Sequence, residues 1–331
     1  MGEQLQNRKK FGGKIGDLRE IGIASVLLLM VIVFSFSSKT FITPKNIMNI
    51  VRQVSLNGIM ACGMTMIILL GDIDLSAGSV YFASAMTCGM LVTRGVPFLL
   101  AIPVGILVGA ILGMISGLLV AKVGLPAFIA TLGMTNIERG IWQTLSGGKI
   151  ISMTPASVKT GGLDTFLFLG SGKIGGVVPM LVVFLAAVLV ISYILIHVTN
   201  FGFHLKAVGG NKSAARVVGI NIERVKVAAY TIHGAFCGLV GVLALSYLSS
   251  VQGTSGDGTE LDAIAAVIMG GTSALGGEGS VIGTLIGVLI MGVLKNGLVL
   301  IGVTSFMQTA IIGLVVILSV TFDIQAQKKR R

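Results

Sequence analysis

The chain is a succession of long apolar runs separated by short polar breaks, and that pattern leaves few ways to fold. The runs read as 21–37, 46–70, 76–93, 98–121, 126–146, 179–199, 225–250, 260–275, 280–300 and 304–322. About 20 apolar residues cross the hydrocarbon core of a bilayer as one helix. Backbone groups facing lipid find no water to bond, so each span has to be helical. Only 11% of the residues are charged, against about 25% in soluble domains. That is too little polar surface to cover a globule in water. The expected fold is therefore all-α, a polytopic membrane protein of about ten transmembrane helices. The run 260–275 is short for a full crossing and reads as a re-entrant or broken helix.

Charge sets the expected topology. The formal net charge is +11, and the cations gather in three places. Arg8, Lys9, Lys10, Lys14 and Arg19 precede the first run. Lys206, Lys212, Arg216, Arg224 and Lys226 sit in an internal polar stretch. Lys328, Lys329, Arg330 and Arg331 close the chain. Positive loops stay cytoplasmic. The expected organisation is a basic cytoplasmic tail over 1–20, a transmembrane domain over 21–322 and a second basic cytoplasmic tail over 323–331. Within the domain, 147–178 is expected outside and 200–224 inside. The apolar patch Leu163–Leu169 of the outer stretch is expected at the bilayer surface. The first run resembles a signal peptide, but no small-x-small cleavage site follows it, and it reads as a retained span. No basic patch is interleaved with aromatics, so nucleic acid is not an expected partner.

Glycine punctuates the spans. Gly105, Gly109, Gly113 and Gly117 recur at four-residue spacing and form a bare stripe on one helix face, as do Gly279, Gly283 and Gly287. Such stripes let membrane helices approach closely. There is also a hint of internal duplication. Met66–Gly71 leads into Leu75-Ser76-Ala77-Gly78-Ser79-Val80, and Val267–Gly271 leads into Gly276-Gly277-Glu278-Gly279-Ser280-Val281. Paired Gly-rich breaks in two halves are how many transporters build a central site.

Few residues are available for chemistry. Asp72, Asp74 and Ser76 lie between two apolar runs. Asp74 or Ser76 can cap the following helix, and all three can also line a pathway, since charge in a membrane is costly and faces a cavity or a partner. Glu260 and Asp262 open the eighth run. Thr259 and Asp262 have capping-box spacing, and acids suit the positive end of a helix; the alternative places the acids at an outer mouth. Thr272 and Ser273 follow in the second break and are further pathway candidates. Glu138 and Arg139 are adjacent near the end of the fifth run and read as ion-pair or interface residues. Asn211 can cap a short amphipathic helix that Gly219 ends, with Ala214, Ala215, Val217 and Val218 as its apolar side. That helix reads equally as a docking element or a linker turn. His197, His204 and His233 have no ligand spacing and read as interfacial or packed. Cys62, Cys88 and Cys237 read as small buried residues. No metal site and no catalytic residue is expected. The stretch Gly271–Glu278 has the glycines of a phosphate loop but not its lysine, so ATP hydrolysis would need another subunit.

Three of these segments resemble the ribose-type permease family of bacterial ABC importers. They are Asp72-Ile73-Asp74-Leu75-Ser76-Ala77-Gly78-Ser79, then Ala207-Val208-Gly209-Gly210-Asn211 through Gly219-Ile220-Asn221, and Glu260–Val267 through Gly270-Gly271-Thr272-Ser273 and Gly276-Gly277. Pro126–Gly133 is a fourth, shorter match. The resemblance covers most of 45–322. It implies a permease subunit in the bacterial inner membrane that passes a monosaccharide, a ribose-like pentose, a hexose or a related sugar. The implied partners are a second permease subunit, identical or related, an ABC ATPase carrying ATP and Mg2+, and a periplasmic or lipid-anchored sugar-binding protein. It also implies that Asn211, Ala214, Ala215, Arg216 and Gly219 form the coupling helix to the ATPase. Asp72 departs from the pattern, standing where the family usually has Gly, so the substrate does not carry over with it. The competing readings are a self-sufficient ion-coupled carrier using Asp72 and Asp74, or an ABC permease for nucleosides or branched-chain amino acids.

Overall fold

The computed structural model describes residues 22–328. The expected tail 1–20, the first residue of the first span and Lys329, Arg330 and Arg331 lie outside the described residues. Each of the ten expected spans corresponds to one helix: α1 (Gly22–Ser37), α2 (Pro44–Leu69), α3 (Ala77–Thr93), α4 (Phe98–Leu118), α5 (Ala127–Ser146), α7 (Met180–Tyr193), α10 (Ile222–Leu248), α11 (Thr259–Met269), α12 (Val281–Leu300) and α13 (Ser305–Lys328). Three shorter helices lie between them: α6 (Leu163–Ser171), α8 (Asn200–Gly210) and α9 (Lys212–Val217). Both α4 and α7 finish in a single π turn, Leu119–Val123 and Ile194–Val198, which extends them to Val123 and Val198. With those turns, α2, α4, α7, α10 and α12 are each long and apolar enough to cross a bilayer. The last helix runs past the expected span end at 322 to Lys328. At 1.5 Å per residue, the 11 residues of α11 reach only about 17 Å, roughly half of a hydrocarbon core.

Local chemistry sets the helix ends. Thr43 caps α2 by accepting from the Asn46 N–H, with Pro44 at its first position, and Ser280 caps α12 by accepting from the Gly283 N–H. The ends of α2 and α11 share one device. Gly71 donates to Ile68 O and Asp72 to Ile67 O; two hundred residues on, Gly271 donates to Ile268 O and Thr272 to Val267 O. Both glycines take left-handed φ, +73° and +87°, which costs glycine nothing and stops the helix. The duplication hinted at by the sequence is thus a repeated stop signal.

The core gathers around α10, which packs against α2, α3 and α4. The α4 glycine stripe lies on it at backbone distance. A Cβ on Gly109 would sit 2.5 Å from Gly234 O, and one on Gly113 2.3 Å from Tyr230 O. Gly117 meets the Tyr230 side chain, and Gly105 meets Ser84 O of α3 and Val242. On the far side of α2, Gly283 abuts Gly270 O and Gly287 abuts Ala266 O. The opposite face of α4 exposes Leu100, Val104, Leu107 and Ile111, as a lipid-facing helix does.

The stretch 147–178 is more structured than expected. Its β1 (Ile151–Ser152) pairs with β4 (Ser250–Val251), and β2 (Lys173–Ile174) pairs with β3 (Val178–Pro179), each antiparallel. The patch 163–169, expected at the bilayer surface, forms α6, and one side of it docks on protein. Phe166 is buried and stacks on Phe98 at 4.5 Å, and Ser246 Oγ of α10 joins the helix by donating to Phe166 O and accepting from the Gly170 N–H. These contacts cover Phe166, while Phe168 stays exposed.

Candidate functional site in the broken second helix

Residues 70–76 interrupt what would be one long hairpin of α2 and α3. The break is deep in the bundle. Asp74 faces His233, the twelfth residue of the 27-residue α10, so α3 begins about halfway along a spanning helix. Non-helical backbone at that depth needs partners from neighbouring helices, and α5 supplies them. The Leu75 N–H donates to Thr131 Oγ1 at 3.1 Å, and Thr135 Oγ1 donates to Leu75 O at 2.9 Å. Thr131 lies in one of the quoted segments, but nothing in the sequence marked either threonine for this role.

The two acids of the break have different partners. Asp72 forms a buried ion pair with Lys226 of α10, N···O 2.5 Å, across 154 residues of sequence. Asp74 Oδ1 accepts from the Ser76 N–H at 2.7 Å and from Ser76 Oγ at 2.6 Å. Its other oxygen faces His233 Nε2 at 3.7 Å. Asp74 therefore sits at the start of α3, where a negative charge meets the positive helix end. Ser76 precedes the first residue of α3, but its side chain makes no cap to the helix. His233 and Lys226 were read from the sequence as a packed residue and a topology marker; the fold turns both toward the break. Gly63 leaves the room, since a Cβ there would lie 2.4 Å from His233 Nδ1.

One turn further along α3, Ser79 Oγ donates to Glu138 Oε2 of α5 at 2.5 Å. Glu138 is completely buried, and its Oε1 has no hydrogen-bond partner among the described residues. Among the described residues it makes no ion pair, and the ion-pair expectation for the two neighbours is met by Arg139 alone. Its neighbour Arg139 points the other way. It pairs with Asp257, donates to Gly253 O at 2.8 Å and covers the Phe82 ring at 5.5 Å. Glu260 reaches the same region: a Cβ on Gly78 would lie 2.4 Å from its Oε2. Asp72, Asp74, Ser76, Ser79, Glu138 and Glu260 thus form a polar seam along the start of α3.

Comparison with known proteins fits this architecture. Residues 46–320 match the family described as branched-chain amino acid transport system, permease component. The chain belongs to that permease family. It is 43% identical over 326 residues to the ribose import permease protein RbsC of Bacillus subtilis (strain 168), covering 97% of this chain and 98% of that protein. It is 39% identical over 301 residues to RbsC of Escherichia coli (strain K12), covering 91% and 92%. It is 31% identical over 320 residues to the L-arabinose ABC transporter permease protein AraH of Azospirillum brasilense, covering 97% and 92%. No solved structure matches the chain.

The other expected pathway residues of this permease lie apart from the seam. Asp262 pairs with Lys295 of α12. Thr259 does not cap α11. Gly258 occupies that position in left-handed φ, and Thr259 Oγ1 donates back to Gly256 O at 2.7 Å, so the capping-box expectation fails. Glu260 and Asp262 do lie in the first turn of α11. Thr272 and Ser273 are buried in the second break. There the Ser273 N–H donates to Glu278 O, and Thr272 packs where a Cβ on Gly279 would fall.

The expected coupling segment is the short helix α9. Asn211 Oδ1 accepts from the Ala214 N–H at 3.0 Å, and Gly219, at φ +83°, follows its end. Its apolar residues differ in burial. Ala215 is buried, while Val217 and Val218 are 86% and 74% exposed. Arg216 is exposed, and it and Lys212 lie on the same short helix.

Proposed function

We propose that this chain is the membrane-spanning permease subunit of an ATP-binding cassette importer for a monosaccharide. The observation that carries the reading is the end-to-end 43% identity with a ribose import permease. The arabinose permease supports sugar as the substrate class. In this reading two permease chains, identical or related, form the pore. A separate ATPase binds ATP and Mg2+, and an extracytoplasmic binding protein delivers the sugar. This chain itself holds no cofactor and catalyses no reaction.

The positive-loop argument puts both termini and the 200–224 segment on the cytoplasmic side and 147–178 outside. The exposed valines of α9 then face the cytoplasm beside Lys212 and Arg216. A short helix presenting apolar side chains suits a groove on a soluble partner. Next to it, an open groove of about 540 Å³ is lined by Leu118, Lys122, Asn221, Glu223, Arg224, Val227 and Ala228. The polar seam is buried in this structure, so its hydroxyl groups and carboxylate oxygens, among them Glu138 Oε1 with no partner among the described residues, would meet a sugar only after the helices around it part. The similar proteins are a ribose import permease and an L-arabinose ABC transporter permease, which disfavours a self-sufficient ion-coupled carrier.

The test is isolation from the native membrane in mild detergent, followed by reconstitution. The reading requires a stoichiometric ATPase to copurify and sugar uptake to depend on ATP and on the binding protein. Uptake by the permease alone, driven by a proton or sodium gradient, would overturn it.

A further inference from the structure

The two helix breaks do not merely resemble each other; they touch, and the segment leading to α9 closes over the contact. The Gly277 N–H donates to Leu69 O at 2.9 Å, joining the second break to the end of α2. A Cβ on Gly276 would lie 2.7 Å from the Gly71 N and 3.1 Å from the Gly209 Cα. One on Gly277 would lie 3.0 Å from the Gly210 Cα. The tightest approach belongs to Gly209 in the last turn of α8. A Cβ there would fall 1.8 Å from Leu69 O and 2.7 Å from the Gly277 N. Three backbones therefore meet with no side chain between them, at the very hydrogen bond that links the two breaks.

The chain continues directly from this junction to both functional regions. Two residues after Gly209, Asn211 caps α9. Three residues after Leu69, Asp72 holds Lys226, and two further on Asp74 faces His233. Close-packed contacts with no soft side chain transmit a displacement instead of absorbing it.

We infer that Gly209 is a positioning residue for coupling. Movement of α8 and α9 is delivered as backbone contact to Leu69 and Gly277, and so shifts both helix breaks together. This inference rests on the importer reading above, which supplies the ATPase that would move α9.

Gly210 provides an internal control. It is the next residue, yet a Cβ on it meets nothing within 4 Å. The experiment compares Gly209→Ala and Gly210→Ala in the purified permease–ATPase complex, with uptake per ATP hydrolysed as the readout. Gly210→Ala is expected to match the unmodified complex. Gly209→Ala is expected to retain the ATPase and its hydrolysis while uptake per ATP falls about tenfold, within the usual range of coupling energies. Unchanged uptake per ATP in Gly209→Ala overturns the inference and leaves the importer reading intact. Absence of any ATPase from the unmodified preparation speaks against the importer reading instead.

If Gly209→Ala does not assemble, hydrogen exchange on the unmodified complex decides. Peptides covering 66–72 and 272–280 should change protection together between ATP- and ADP-bound states. No change in either, in a complex that is hydrolysing ATP and moving sugar, overturns the inference.

Discussion

The Asp72–Lys226 pair allows a quantitative test of what holds the broken helix in place. Both side chains are almost fully buried, 6% and 8% exposed. Removing one partner of such a pair strands the other charge in a poor solvent for ions, at a cost of about 3–5 kcal/mol. Removing both strands nothing, and the double replacement is close to neutral. Asp72→Asn and Lys226→Met preserve shape, so the cycle isolates charge. At about 2 °C per kcal/mol for a chain of this length, each single variant should melt about 6–10 °C lower. The double variant should recover most of that, so the interaction term, the double loss minus the two single losses, is about 6–10 kcal/mol in magnitude. Cys62, Cys88 and Cys237 are buried and free, so a maleimide fluorophore reports unfolding as they emerge. Single variants within about 1 °C of the parent, or losses that simply add, would show that the pair does not anchor the break.

Other predictions rest on separate contacts. Gly113→Ala drives a methyl to 2.3 Å from Tyr230 O and should lower stability by about 1–3 kcal/mol; Gly140→Ala, with open space around it, should melt like the parent. Thr135→Val leaves Leu75 O without its side-chain donor and should cost about 1–3 kcal/mol in the same melt, and no loss would mean that water reaches the break. Val217→Glu alters an exposed side chain, so membrane insertion and melting should be normal while ATPase copurification and uptake disappear; normal uptake would remove α9 from the docking surface. Arg216→Glu should act in the same direction, read by the same pull-down.

The sequence by itself determined the helical, membrane-embedded architecture and the order of the spans. Apolar runs of bilayer length permit little else, and Gly71 and Gly271 stop their helices through local backbone conformation. The cap at Asn211 was legible for the same reason, because a capping side chain bonds its own neighbours. What the sequence left open was every partner reached across the bundle. Asp72 and Lys226 are 154 residues apart, and nothing in either apolar run marks the other as its counter-charge. His233 looked inert because its role depends on a helix break in another element. Thr131 and Thr135 looked like ordinary helix residues until the backbone of Leu75 came to lie beside them. The patch at 163–169 was apolar in either setting, and only the fold showed that Phe166 is covered by Phe98 while Phe168 stays exposed. Local patterns encode where helices start and stop. Tertiary packing alone decides which polar groups meet, because a buried charge is satisfied by whatever the fold brings to it.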